Sequence, residues 1–159
     1  MGLMVPFVVT KNSVVQLDNS LTILLLKAAE VNVPMTISLY EGQCIAHLLA
    51  YGDVDPQSAA IVLKEVLALA GIPLVKIAIT EIREDDDEGE GQFASELFLK
   101  KGNEEVSFPI FPGDAILLAL ATGAPMFIDE TVVIQATQGE YAQRFLAFVE
   151  ESVPIALES

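Results

Sequence analysis

Short apolar runs separated by turn residues open the chain. Segments 5–10 (VPFVVT) and 21–27 (LTILLLK) are rich in β-branched and large apolar side chains, with Lys11-Asn12-Ser13 and Asp18-Asn19-Ser20 punctuating them. This pattern predicts two strands. A third is expected over 33–39, where Val33-Pro34-Met35-Thr36-Ile37-Ser38-Leu39 keeps its β character. After Glu41-Gly42 the period becomes helical, because Cys44, Ile45, Leu48 and Leu49 fall on one helical face. The most explicit helix signals are Asp55-Pro56, an acceptor before a proline suited to the first helical position, and Gly71-Ile72-Pro73, a stop. They predict a helix over 56–70. Only Gln57, Ser58, Lys64 and Glu65 are polar within it, so it is expected to be buried over most of its circumference, in part by another subunit.

Farther along, Val75, Ile77 and Ile79 alternate with Lys76, Ala78 and Thr80, and Phe93, Leu97 and Leu99 alternate with Ala94, Glu96 and Phe98. Period two over both runs predicts paired antiparallel strands at 74–83 and 92–100. The run Glu84-Asp85-Asp86-Asp87-Glu88-Gly89-Glu90 forms the loop between them, and Gly102-Asn103 turns the chain into a third strand over 106–110, completing a meander. A helix is expected over 112–122, opened by Pro112, with Asp114 in its first turn, and closed by Gly123 and Pro125. A strand over 125–128 precedes Asp129-Glu130. A last amphipathic helix is expected from about 140 to 151, with Ala142, Phe145, Leu146 and Val149 on one side. Together these elements predict a single α+β domain, a mixed or antiparallel sheet packed with about four helices. Residues 1–135 form its body, and the C-terminal helix and tail over 136–159 belong to the same compact unit.

Composition narrows the possibilities. The chain has 159 residues, 52% hydrophobic and only 19% charged, enough for one core without disulfides. The polar surface is scant for that apolar content, so a homo-oligomer is expected, a dimer above all. No apolar run reaches the roughly 18 residues a membrane helix needs. The N-terminus lacks a basic region and a cleavage site. With one cysteine, Cys44, no intramolecular disulfide can form, which agrees with a cytoplasmic protein. The formal charge is −15, from 23 acidic and 8 basic residues, and removing the six acids of the 84–90 loop still leaves 17 acids. Such a balance opposes nucleic-acid binding, which rests on Lys and Arg.

The stretch Phe108-Pro109-Ile110-Phe111-Pro112-Gly113-Asp114-Ala115-Ile116-Leu117-Leu118-Ala119-Leu120, followed by Thr122-Gly123-Ala124-Pro125-Met126-Phe127-Ile128, resembles the most distinctive stretch of the bifunctional nuclease family, Arg-Pro-Ser-Asp-Ala-Ile-x-Leu-Ala and a Pro-Ile-Phe-Val strand. Pro34-Met35-Thr36-Ile37 before Glu41-Gly42 is similar to the family's Leu-Pro-Ile strand and helix start. Gln92-Phe93-Ala94-Ser95-Glu96-Leu97 is similar to its Phe-Tyr-Ala-x-Leu strand. Order and spacing agree over roughly 5–135. The resemblance implies an α+β fold and hydrolysis of DNA and RNA. Two departures stand out. Phe111 and Gly113 replace the family's arginine and serine, and Asp55-Pro56-Gln57-Ser58 stands where Thr-His-Asp is frequent.

Phosphodiester hydrolysis asks for charge neutralisation at the phosphoryl oxygens and an activated water, commonly through divalent metals on carboxylates. Asp114 and Glu41 are the candidate catalytic carboxylates, and with Asp129 they are the candidate ligands for Mg²⁺ or Mn²⁺. Each sits at an element boundary, where a plain helix-terminal charge is the competing explanation. Glu41, Cys44 and His47 offer a weaker ligand set, since zinc sites ordinarily need three or four protein ligands and no second cysteine exists. Arg83 and Arg144 are the only arginines. Two readings stay open: a metal-assisted nuclease, and a non-catalytic oligomeric module that binds a small ligand or a protein.

Overall fold

A computed structural model describes residues 2–16, 21–84 and 91–138. In chain order the elements are β1 (Met4–Val8), a 3₁₀ turn (Lys11–Ser13), β2 (Val14–Gln16), β3 (Leu21–Ala28), β4 (Val31–Ser38), α1 (Leu39–Tyr51), α2 (Ala59–Ala70), β5 (Leu74–Glu84), β6 (Gly91–Lys101), β7 (Glu104–Ile110), α3 (Pro112–Thr122), β8 (Met126–Asp129) and α4 (Glu130–Gln138). Eight strands and four helices among the described residues make one mixed α+β sheet protein, as the pattern predicts.

β1 is the hinge of the sheet. Met4 to Pro6 pair with β8, whereas Phe7 and Val8 pair with β3. β4 runs along the whole of β3, from Leu21↔Ser38 to Ala28↔Val31, so β1 and β2 divide β3's other edge. Beyond β8 the order continues β5-β6-β7. The expected meander is present as two antiparallel pairs. β5 and β8 pair in parallel through Ile77↔Met126 and Ile79↔Ile128. Parallel neighbours require a crossover, and here β6, β7 and α3 supply it. That crossover carries the start of α3 from the edge strand back over the sheet.

Alternation decides which face receives the helices. Ile77, Ile79, Leu97 and Leu99 are buried on one face, and α3 lies among the core residues there with every residue from Ala115 to Ala119 buried. Gly71 and Gly123 end α2 and α3 with positive φ (70° and 78°), a conformation a Cβ would strain.

Two expectations are corrected, and two elements are new. α2 starts at Ala59 behind Ser58, whose Oγ accepts from the Ile61 N–H (3.3 Å). Asp55 instead accepts from the Gln57 N–H (3.0 Å) in a turn, since its short side chain closes on the backbone two residues ahead before a helix can form. α2 is also not buried around most of its circumference. Ala60, Ile61 and Leu67 are buried, but Val62, Val66 and Leu69 are exposed, Leu69 at 90%, because the helix packs on α3 along one side only. Finally, α4 and β2 are elements that the pattern did not announce, both of them short. The helix expected over 140–151 lies outside the described residues, as does most of the 84–90 run. No described helix is long and apolar enough to cross a membrane.

Candidate functional site

The first turns of α1 and α3 meet. Ser38 caps α1: its Oγ accepts from the Glu41 N–H (3.1 Å), and Glu41 Oε1 accepts from the Ser38 N–H (3.1 Å). This reciprocal pair is a capping box, which satisfies two otherwise orphaned donors and fixes the glutamate's rotamer. The other oxygen, Oε2, lies against Gly113 so closely that a Cβ built on Gly113 would overlap it. Gly113 is therefore the residue that lets the Glu41 carboxylate reach α3.

α3 begins differently. Phe111 stands at its N-cap and makes no side-chain cap, Pro112 follows, and Asp114 falls in the first turn. Burial pushes the Asp114 carboxyl above its ordinary value, and the charge of Glu41 raises it further. Two carboxylates from two helix N-termini thus share one region. Neither enters an ion pair among the described residues. The positive ends of both helices offset part of the repulsion.

Asp114 also lines a cavity of about 570 Å³ enclosed by β5, β6, the end of β7 and the start of α3. Thr80, Gln92, Ser95, Glu96 and Phe111 contribute to its wall, together with Arg83, whose Nε donates to Glu81 (2.8 Å). The β5–β6 register shifts between Ile79 and Glu81, so Thr80 sits in a bulge. Bulges re-aim side chains and recur next to active sites. Ser95 is buried on β6 and donates to the Ile110 carbonyl, tying β6 to the edge strand just before α3.

Asp129, the third candidate, is placed elsewhere. It ends β8, is buried, and accepts from the Thr131 N–H (2.8 Å) and hydroxyl (2.7 Å). The Thr131 hydroxyl is the main cause that holds its carboxyl below the ordinary range. A Cβ on Gly2 would overlap it. These contacts describe a cap for α4 that anchors the N-terminal segment, and Asp129 makes no three-carboxylate group with Glu41 and Asp114. Cys44, His47 and Glu41 do not converge either. Cys44 is buried, and desolvation is the first cause that raises its thiol, against the partly compensating Tyr40 hydrogen bond. A thiol held protonated is a poor nucleophile and ligand. His47 Nδ1 instead faces Asp53 (3.0 Å), and its ring lies against Tyr51. Tyr40, bonded to Asp55 Oδ2 (3.3 Å), is pushed up to about 12, chiefly by its hydrogen bond to Cys44. No group of three or more His, Cys, Asp or Glu that could hold a metal occurs among the described residues.

Sequence reasoning named Glu41 and Asp114, and noted Phe111 and Gly113 only as departures from the family's motif; it connected neither Gly113 with the Glu41 carboxylate nor Phe111 and Arg83 with the cavity beside Asp114. The signal for Gly113 was a glycine in a helical first turn, where it lowers helix propensity and implies a close approach. Gly113→Ala is expected to leave stability within about 1 kcal/mol of wild type, because a helix-propensity gain of about 1 kcal/mol opposes loss of the capping box of similar size. Its effect should appear in the site instead, as a Glu41 carboxylate swung away from α3. A crystal structure of the variant with Glu41 undisplaced would contradict this.

A sequence model of a family described as the bifunctional nuclease domain matches residues 23–140. No curated protein matches the chain.

Proposed function

The chain belongs to the bifunctional nuclease family, and from that premise we propose that it hydrolyses DNA and RNA phosphodiesters with the help of Mg²⁺ or Mn²⁺ held by Asp114 and Glu41. The observation that carries this reading is the approach of the two carboxylates across Gly113 at the edge of a cavity. They fit a magnesium-type ion in one respect: such an ion is commonly bound by one or two carboxylates plus substrate phosphates. They do not form a three-carboxylate cage, because Asp129 caps α4 instead. When bound, the ion would neutralise phosphoryl charge and lower the pKa of a coordinated water. The protein's own part is to keep Asp114 desolvated and Glu41 oriented by its capping box. Arg83 adds the one guanidinium that the described residues give the cavity wall.

A second reading, a non-catalytic module for a small ligand, draws on that wall. Glu81, Glu96 and Asp114 outnumber Arg83, and Phe111 replaces an anion-binding arginine. Cleavage of labelled single- and double-stranded DNA and RNA in Mg²⁺ or Mn²⁺, abolished by chelator, separates the two. No cleavage across metals and salt concentrations would discard the nuclease in favour of the module.

The exposed row Val62, Val66 and Leu69 on α2 supports the further proposal of a homo-oligomer, a dimer above all. The buried, single Cys44 agrees with a cytoplasmic location. Sedimentation at micromolar concentration is expected to show a dimer that Leu69→Glu converts to monomer. A monomeric wild type would end the idea.

A further inference from the structure

The replacement of arginine by Phe111 puts an aromatic ring at the mouth of the cavity. Phe111 is 77% exposed and forms part of the cavity wall with Asp114, its neighbour one helical turn on. A ring left in water is unfavourable by the apolar area it exposes, and here it stands on a wall that mixes the apolar Pro109, Ile110 and Pro112 with polar side chains. Electrostatic attraction for a polyanion is weak at this place. Among the described residues, Glu81, Glu96 and Asp114 line the cavity, and the guanidinium of Arg83 is engaged with Glu81. Affinity for a nucleic acid therefore has to come from an interaction that does not depend on net charge. Stacking on an aromatic face meets that condition, since every base has a π-face.

We propose that Phe111 is a stacking platform that seats one nucleobase of a single-stranded nucleic acid beside the Asp114 cavity. The proposal rests on the nuclease reading and adds its substrate preference. Bases in a duplex are already stacked on one another, so single strands are the ligands this platform takes. Gln92 and Glu96 on β6 line the same cavity and supply hydrogen-bonding groups for a base edge. Binding follows with little salt dependence, because among the described residues the cavity offers the backbone one guanidinium and the log-log salt slope for single strands is about −0.7 per neutralised phosphate.

The test is fluorescence anisotropy with a phosphorothioate oligothymidylate, which resists hydrolysis, and an abasic strand of equal length, both in Mg²⁺ at several salt concentrations. Wild type is expected to bind the base-bearing strand about 5- to 150-fold more tightly than the abasic one, the range that one stacked base confers. Phe111→Ala should erase that difference and Phe111→Trp should keep it. A duplex of the same sequence should compete poorly. Equal binding of the two strands by wild type, or an unchanged preference in Phe111→Ala, would overturn the proposal. Because the readout needs no cleavage, a chain that discriminates bases without cutting sinks the nuclease reading alone. One that cuts without discriminating sinks only the platform.

Discussion

Asp114→Asn is expected to lower metal-dependent cleavage by about 100-fold or more, at least the penalty typical of losing a group that supports a metal site, while making the folded protein more stable at neutral pH. The two effects have one cause. Burial and the charge of Glu41 raise the Asp114 carboxyl in the folded state, so the native protein binds its proton more tightly than the unfolded chain does. Stability linked to this group is thus fully present below the unfolded value of about 3.9 and is lost as pH rises through the raised folded value. At neutral pH the ionised carboxylate is a net strain that asparagine, of the same shape, removes. In urea melts the variant should exceed wild type at neutral pH, and the gap should close in acid. Cleavage by wild type should rise with pH as Asp114 ionises. A variant with unchanged cleavage would remove Asp114 from the site, and one less stable at neutral pH would contradict the electrostatic account. A functional group held in a stability-lowering environment is the usual trade at active sites.

Ile116→Ala is the second large effect, and it tests whether α3 is held by the core. Ile116 is fully buried, in a helix whose residues 115–119 are all buried against β5 and β6. Truncation of such a side chain costs about 2–5 kcal/mol, part from transfer and part from the cavity left behind. Against a typical total of about 5–15 kcal/mol, this is a large share, and with a urea slope of about 1–3 kcal/mol/M the midpoint should fall by about 1 M or more. Gln43→Ala, on the exposed side of α1, should stay within about 0.5 kcal/mol as a surface control. A loss below about 1 kcal/mol at Ile116 would mean that α3 is not the centrepiece that positions Asp114.

The meander and α3 were legible because their signals are local and redundant. Period-two alternation marks β5 and β6, and Pro112 and Gly123 bracket α3 with residues whose backbone preferences act over two or three positions. α2 was legible in its C-terminal stop and wrong in its start, where Asp55 closes a turn and Ser58, read as a position inside the helix, is the cap. Its burial was misjudged because composition cannot say how many neighbours a helix has. β2, three residues long, gives periodicity nothing to work on. The candidate site shows the same division. Glu41 and Asp114 were marked by their positions at helix starts, and Asp129 was marked by the same reasoning but proved to cap α4.

What the sequence determined by itself is most of the elements, though neither β2 nor α4, together with the α+β class and the family, since each follows from short-range patterns and their order along the chain. The tertiary structure alone decided which carboxylates meet. Glu41 and Asp114 are more than seventy residues apart in the chain, and only the crossover from β7 into α3, with no side chain on Gly113, brings one against the other. Chain order constrains neighbours within a turn, while contact between distant turns depends on packing that no local pattern encodes.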